Sequence, residues 1–251
     1  MPMIITLTTD FGNSEYVGAM KGVIYSLCPD AKVVDITHEI RKYDIRRAAY
    51  ILSSFAEEFP PGTVHCVVVD PGVGTKRKGV IVKTSRQVYV GPDNGVFSLV
   101  KGIEKVFEIP RKAKSKTFHG RDIFAPVAAE IACGSNVEEM GKEVKGVRRI
   151  IGDVKVKGNK ITGEVICTDS FGNVITNIKS EMLDKEYGAL IKIKVGGREY
   201  EMQLVESYGF AGGNEMICTI GSQGYMEIAV NMGDAGKNLS VDRGEKVEVE
   251  R

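Results

Sequence analysis

The run Lys116-Thr117-Phe118-His119-Gly120-Arg121-Asp122 sets one of the chain's three histidines among ionisable side chains on a glycine-containing turn. Imidazole takes up or gives a proton near neutral pH, so His119 reads as a proton-transfer candidate. A histidine beside Arg and Asp also occurs on ordinary solvated loops, and its weight depends on what the fold brings to it. Three other turns combine Asp or Asn with glycine: Asp10-Phe11-Gly12-Asn13, Asp70-Pro71-Gly72-Val73-Gly74 and Gly91-Pro92-Asp93-Asn94-Gly95. Each follows a short β-branched run, which predicts a polar side chain at the carboxyl end of a strand, where open parallel sheets bind ligands. Taken singly, each is also an ordinary turn, because Asp, Asn, Gly and Pro are the turn-forming residues. Asp70 follows Val67-Val68-Val69 and precedes Arg77 by seven residues. A guanidinium in reach would keep that carboxylate ionised and oriented, and a histidine partner would then move a proton. Asp10 suits a ribose, since one carboxylate accepts from two hydroxyls at once.

A second group lies further along the chain. Asp169-Ser170-Phe171-Gly172-Asn173 pairs an aromatic ring able to stack on a purine with an amide able to pair with its edge. Gly221-Ser222-Gln223-Gly224-Tyr225 is another polar turn, and Tyr208-Gly209-Phe210-Ala211-Gly212-Gly213 reads as a loop whose aromatics could close as a stacking lid. Either turn alone reads first as a hairpin. No G-x-x-x-x-G-K-[ST] run and no glycine fingerprint after the first strand is present, so the expected ligand is a nucleoside without a triphosphate or dinucleotide pyrophosphate. H-x-x-x-H, H-E-x-x-H and C-x-x-C are also missing, which predicts no metal and no cofactor. His65, inside an apolar strand, reads as a core residue, and His38 stays open.

The elements that must position these residues alternate between β-branched runs and segments of helical period up to about residue 145. Strands are predicted at Ile4 to Thr8, Lys32 to Ile36, Thr63 to Val69, Val80 to Val82 and Val88 to Val90. Helices are predicted from a Ser14 cap to Cys28, from an Asp44 cap through Ile45, Ala48, Ala49, Leu52 and Phe55, and over Phe124 to Cys133. Beyond Val147 the pattern turns to short alternating strands: Lys160 to Cys167, Leu190 to Val195, Glu199 to Leu204, Met216 to Ile220, Tyr225 to Val230 and Lys246 to Glu250. The predicted class is α/β: an N-terminal domain, residues 1–148, with a mostly parallel sheet and flanking helices, then a smaller all-β barrel domain, residues 149–251.

Composition narrows the partners. The 34 basic and 33 acidic residues nearly cancel, and no Arg/Lys stripe carries interleaved aromatics, so a small molecule is expected rather than nucleic acid. No apolar stretch reads as a membrane span or signal peptide, which predicts a cytoplasmic protein. The five cysteines are odd in number and widely spaced, and read as reduced core residues.

Taken together, Thr8-Thr9-Asp10-Phe11-Gly12, Asp70-Pro71-Gly72-Val73-Gly74, Pro92-Asp93-Asn94-Gly95, Thr117 to Asp122, Phe171-Gly172-Asn173, and Gly221-Ser222 through Tyr225 to Asn231 resemble the S-adenosyl-L-methionine hydrolases, or adenosyl hydroxide transferases. These are relatives of the fluorinases and chlorinases. The resemblance runs colinearly over nearly the whole chain. It implies an N-terminal α/β domain and a C-terminal β-barrel, assembled as trimers with the site between neighbouring subunits. It implies hydrolysis of S-adenosyl-L-methionine, as substrate rather than cofactor, to adenosine and L-methionine. Asp70, Arg77 and His119 would activate water. Asp10 would hold the ribose, Phe171 and Asn173 the adenine with Tyr208 stacking, Asp169 and Ser222 the methionine amine and carboxylate, and the main chain from Val230 to Met232 the adenine edge. The same motifs add Phe11, Asn94, Tyr225 and Glu227 to the substrate-binding set. Gln223 stands where the halogenating relatives carry Arg, and Asp169 lies one position nearer to Phe-Gly-Asn than their acidic residue. Two other readings stay open: a non-catalytic adenosine- or S-adenosylmethionine-binding protein, and a halide-using relative.

Overall fold

The computed structural model describes residues 3–250. The chain forms two compact units, Met1–Ile150 and Ile151–Arg251. The first contains β1 (Ile4–Thr9), α1 (Glu15–Leu27), β2 (Lys32–Thr37), α2 (Ile45–Phe55), β3 (Val64–Val68), β4 (Gly79–Thr84), β5 (Val88–Pro92), β6 (Ile103–Glu108), α3 (Ala125–Ala132) and β7 (Lys142–Glu143). The strands make one sheet in the order β2-β1-β3-β5-β4-β6-β7. Pairing is parallel from β2 to β5 and antiparallel beyond. The change of direction falls where only Ser85-Arg86-Gln87 joins β4 to β5, too short a link for a parallel crossover.

All five residues of β3 are buried, as expected for a strand covered on both faces. Ile5, Leu7, Val64, Cys66 and Val68 pack with Met20 and Ile24 of α1 and with Ala125, Ala128 and Ala129 of α3. Thr6 and His65 alternate with these. The Thr6 hydroxyl lies 2.8 Å from His65 Nδ1, the His65 ring stacks on Tyr89 at 5.0 Å, and burial pulls its pKa down to about 4. His65 is therefore a neutral core residue. Asp44 caps α2 by accepting the Arg47 N–H at 3.0 Å. Ser14 occupies the cap position of α1, but its hydroxyl makes no capping bond. The predicted Phe124 to Cys133 helix starts earlier, in a π-helical turn over Gly120–Phe124 that runs into α3.

One expectation fails. Cys28 and Cys133 are not reduced core residues: they form a disulfide with Cα atoms 5.9 Å apart, within the usual range. Cys28 ends α1 and Cys133 ends α3. The two helices pack side by side, so a sequence separation of 105 becomes a short distance that spacing could not reveal. Cys66, Cys167 and Cys218 are free and buried.

The second unit contains β8 (Lys155–Lys157), β9 (Lys160–Thr168), β10 (Val174–Lys179), β11 (Leu190–Val195), β12 (Arg198–Gln203), β13 (Met216–Ile220), β14 (Tyr225–Val230) and β15 (Lys246–Glu250). They follow the antiparallel order β12-β11-β15-β9-β10-β14-β13, with β8 on β9. A bridge between Leu204 and Cys218 joins the two ends of the path, so the sheet curls into a near-barrel. Strict alternation along β11 sends Ile191, Ile193 and Val195 inward to pack with Ile161, Met226, Ile228 and Val247. Among the described residues, no helix is long and apolar enough to cross a membrane.

A cross-link spanning about 100 residues should add roughly 2–4 kcal/mol of stability. Denaturant unfolding with and without reductant should differ by about that amount. A thiol assay on unfolded, unreduced protein should find only Cys66, Cys167 and Cys218 reactive; five reactive thiols would refute the pairing.

Candidate active site

Asp70 stands two residues past the end of β3, and its Oδ1 accepts the Gly72 N–H at 3.2 Å. The loop turns back so that Arg77 meets the carboxylate with both prongs: Nε donates to Oδ1 at 3.0 Å and a terminal nitrogen to Oδ2. This same nitrogen lies 2.9 Å from His119 Nδ1. The other terminal nitrogen donates to the Lys78 carbonyl at 2.9 Å, and the guanidinium rides 5.3 Å above the Phe124 ring. The side chains of Asp70 and Arg77 are only 5% and 7% exposed, so this pair is a desolvated, bidentate one and not a surface contact. Glycine permits the arrangement. At Gly74, with φ +76°, a Cβ would stand 2.5 Å from the Lys116 carbonyl oxygen, and the loops carrying Asp70 and His119 could not approach.

Arginine is a permanent donor, so His119 Nδ1 must accept, and the neutral ring then carries its proton on Nε2. Burial lowers the His119 pKa below the ordinary 6.5 and the Arg77 charge lowers it further, against the opposing pull of Asp70 and Asp122. Arg121 and Asp122 brace the turn: Arg121 Nε donates to Asp122 Oδ1 at 2.7 Å, and Asp122 Oδ2 accepts the Ser115 N–H at 2.6 Å.

Asp10, one residue past β1, accepts the Tyr43 N–H on Oδ2 at 2.8 Å. Burial raises its pKa. Asp10, Phe11, Asp70 and His119 line one cavity of about 270 Å³, together with Tyr16, Lys42, Tyr43 and Phe118. Of these, Tyr16, Lys42 and Tyr43 had no place in the sequence reading, whereas Phe118 belongs to the His119 run. Tyr16 and Phe118 pack edge to face with ring centres 5.1 Å apart, and Phe11 lies against both. Tyr43 sits in the left-handed region at φ +68°, an uncommon state for a non-glycine residue and one found most at functional sites. Asn94 is absent from this lining. Its amide donates to the Val69 carbonyl at 2.8 Å and accepts the Val96 N–H at 3.2 Å, so it braces the strand end that leads to Asp70.

In the second unit, Asp169 organises its own turn, accepting the Phe171 and Asn173 N–H groups on Oδ1 and the Asn173 side-chain amide on Oδ2. That amide also reaches Tyr208 Oη at 3.3 Å, and Tyr208 donates to Glu227 Oε2 at 2.8 Å. Glu227 is buried and lies so close under Gly221 that a Cβ there would collide with its carboxylate. Phe171, Phe210 and Met232 are exposed by 80%, 71% and 92%, and Ser222 is exposed. Val230 is buried in β14. Tyr225 departs from the expected set: its ring is buried beneath Lys179, whose Nζ is 3.2 Å from the ring centre. No group of three or more His, Cys, Asp or Glu among the described residues is placed to hold a metal.

Residues 5–141 match the SAM hydroxide adenosyltransferase N-terminal domain and residues 163–248 its C-terminal domain. The chain belongs to the SAM hydroxide adenosyltransferase family. It is 41% identical to the (R)-S-adenosyl-L-methionine hydrolase of Methanocaldococcus jannaschii, over 98% of this chain and 95% of that one. It is 25% identical to the fluorinase of Nocardia brasiliensis, over 98% and 96%. The crystal structure of an uncharacterized conserved protein from Thermotoga maritima superposes with a TM-score of 0.88 at 39% identity, over 98% and 100% of the two chains. The N-terminal family domain holds Asp10, Asp70, Arg77 and His119, and the C-terminal one holds the Asp169 to Met232 set.

The His119 geometry is testable by itself. Ring-nitrogen NMR should show neutral His119 protonated on Nε2 and titrating below pH 6.5. Arg77→Gln should move that titration upward, because it removes a neighbouring cation while Asp70 and Asp122 remain. A downward or absent shift would contradict the assigned contact.

Proposed function

We propose that this protein hydrolyses S-adenosyl-L-methionine to adenosine and L-methionine, by in-line attack of water on C5′. The observation that carries this reading is the buried Asp70–Arg77 pair, joined to half-buried His119 and opening on the cavity that Asp10 also lines. The sulfonium leaves as a neutral thioether, so no general acid is required. Aligning water, C5′ and sulfur can lower the barrier by roughly 7–11 kcal/mol in favourable cases. With Nδ1 engaged by Arg77, His119 offers an Nε2–H to the water oxygen, which leaves Asp70 to take the proton. The attacking water becomes strongly acidic as its bond to carbon forms, so a carboxylate is base enough. Base assistance of this kind contributes about 10²–10⁴-fold. A halide nucleophile has no proton to lose, which is why a carboxylate and histidine at this position favour hydroxide transfer.

Asp10 would accept the ribose hydroxyls and Phe171 would stack on the base. The Asn173 amide nitrogen is engaged by Asp169 and Tyr208, so its oxygen is the group left to accept from an exocyclic amine, which favours adenine. Following the names of the relatives, the (R) sulfonium epimer is the proposed substrate. We further propose a homotrimer in which a second copy supplies the adenine- and methionine-binding half. The exposed Phe171, Phe210 and Met232 support this, since such apolar side chains gain from being covered.

Incubating resolved epimers in ¹⁸O-labelled water should yield methionine and adenosine labelled at the 5′ oxygen from the (R) form, with Asp70→Asn slower by about 10²–10⁴-fold. Absence of adenosine, or unlabelled adenosine, refutes the reading. Mixing the inactive variants Asp70→Asn and Phe171→Ala after mild dissociation should restore roughly a quarter of wild-type activity if each site draws on two copies of a ring. No recovery would place both halves in one copy.

A further inference from the structure

His38 follows β2 and stands outside the cavity lined by Asp10, Asp70 and His119. Its ring and main chain nevertheless hold the Asp10 turn from two sides. His38 Nδ1 lies 2.8 Å from Thr9 Oγ1, Thr9 Oγ1 accepts the Phe11 N–H at 3.2 Å, and the His38 carbonyl accepts the Gly12 N–H at 2.8 Å. Asp10 lies between these anchors. The placement comes from a register shift in the β1–β2 pairing. Leu7 faces Asp35 but Thr8 faces Thr37, so β2 gains a residue and His38 arrives level with Thr9.

On the ring's other edge, Nε2 lies 3.0 Å from Asp35 Oδ1, off the line of a well-formed hydrogen bond, and Lys21 Nζ holds Asp35 Oδ2 at 2.6 Å. The carboxylate favours the tautomer protonated at Nε2. Nδ1 is then the acceptor for the Thr9 hydroxyl, whose oxygen in turn accepts from Phe11. From the His38 ring to the Asp10 turn donors and acceptors agree at every link, and the Asp35 carboxylate biases the ring by charge.

We propose that His38 is a positioning residue that aims the Asp10 carboxylate at the substrate's ribose diol. This rests on the reading of Asp10 as the ribose-binding group. The ring does not touch substrate. It fixes the main chain on both sides of Asp10, so that the carboxylate meets two vicinal hydroxyls without reorganising.

The test compares adenosine with 2′,3′-dideoxyadenosine by calorimetry. Wild type should prefer adenosine, and Asp10→Ala should erase the preference. His38→Ala should reduce it about tenfold, the effect of losing a hydrogen bond or two, and His38→Asn should recover it, because the Asn side-chain oxygen can replace Nδ1 as acceptor. Thr9→Val removes only the relaying hydroxyl and should reproduce His38→Ala, which keeps the question open to decision if the alanine variant does not fold. The Asp10→Ala/His38→Ala double variant should lose no more preference than Asp10→Ala alone. If wild type and Asp10→Ala behave as stated but His38→Ala and Thr9→Val weaken both ligands equally, or lower thermal stability alone, His38 is merely structural and the inference is overturned. If wild type shows no preference for the diol, the ribose reading of Asp10 falls, and this inference falls with it.

Discussion

A guanidinium buried to 7% exposure is the constraint on which the candidate active site depends. Such a charge is tolerated only where its donors are satisfied, and stranding it by removing one partner typically costs 3–5 kcal/mol. Arg77 distributes its donors over Asp70, His119 and the Lys78 carbonyl, and these come from separate stretches of chain. The loop after β3 and the turn before α3 are thus drawn together by the need to neutralise and solvate one ion. Gly74 is the steric concession that lets them meet. Arrangement of the reactive groups and cohesion of the loops are one interaction.

The same ion decides what its neighbours can do. Histidine beside a carboxylate alone would be held protonated; with the guanidinium interposed and water excluded, His119 is pushed toward the neutral form. Its acceptor nitrogen is then taken and its donor nitrogen is free. That divides the labour differently from a histidine general base: the ring orients and the carboxylate receives. The division follows from which atom Arg77 touches, and residue types alone do not carry it.

This marks how far the sequence could be read. The seven-residue spacing from Asp70 to Arg77 was legible because a tight glycine turn after an apolar strand must fold back on itself. The barrel strands were legible because β11 alternates strictly between faces. Tyr43 was not, since its contribution to Asp10 is a main-chain N–H presented from a left-handed residue, and a side-chain identity carries no signal of that. The Cys28–Cys133 pair was hidden because helix packing, and not spacing, brings the ends of α1 and α3 together. Asn94 and Tyr225 show the converse: motif membership marked both, yet the amide of one is engaged by main chain and the ring of the other lies under a lysine.

The choice between turn residue and site residue, posed for each Asp-Gly cluster, was a false alternative. Asp10, Asp70, Asp93 and Asp169 all accept main-chain N–H groups that shape a loop, and for Asp10, Asp70 and Asp169 what matters next is the acceptor capacity left over and where it faces. An ionised carboxylate has about four lone-pair sites. Asp169 receives three donors from its own turn and Asp70 receives two from Arg77 and one from Gly72. Asp10 receives the Tyr43 N–H on Oδ2 and keeps most of its capacity facing the cavity. On that count Asp10 is the carboxylate best able to take two hydroxyls at once, while Asp70 and Asp169 each keep room for about one more donor, and only Asp70 of those two lines the cavity beside His119, where it can take a proton.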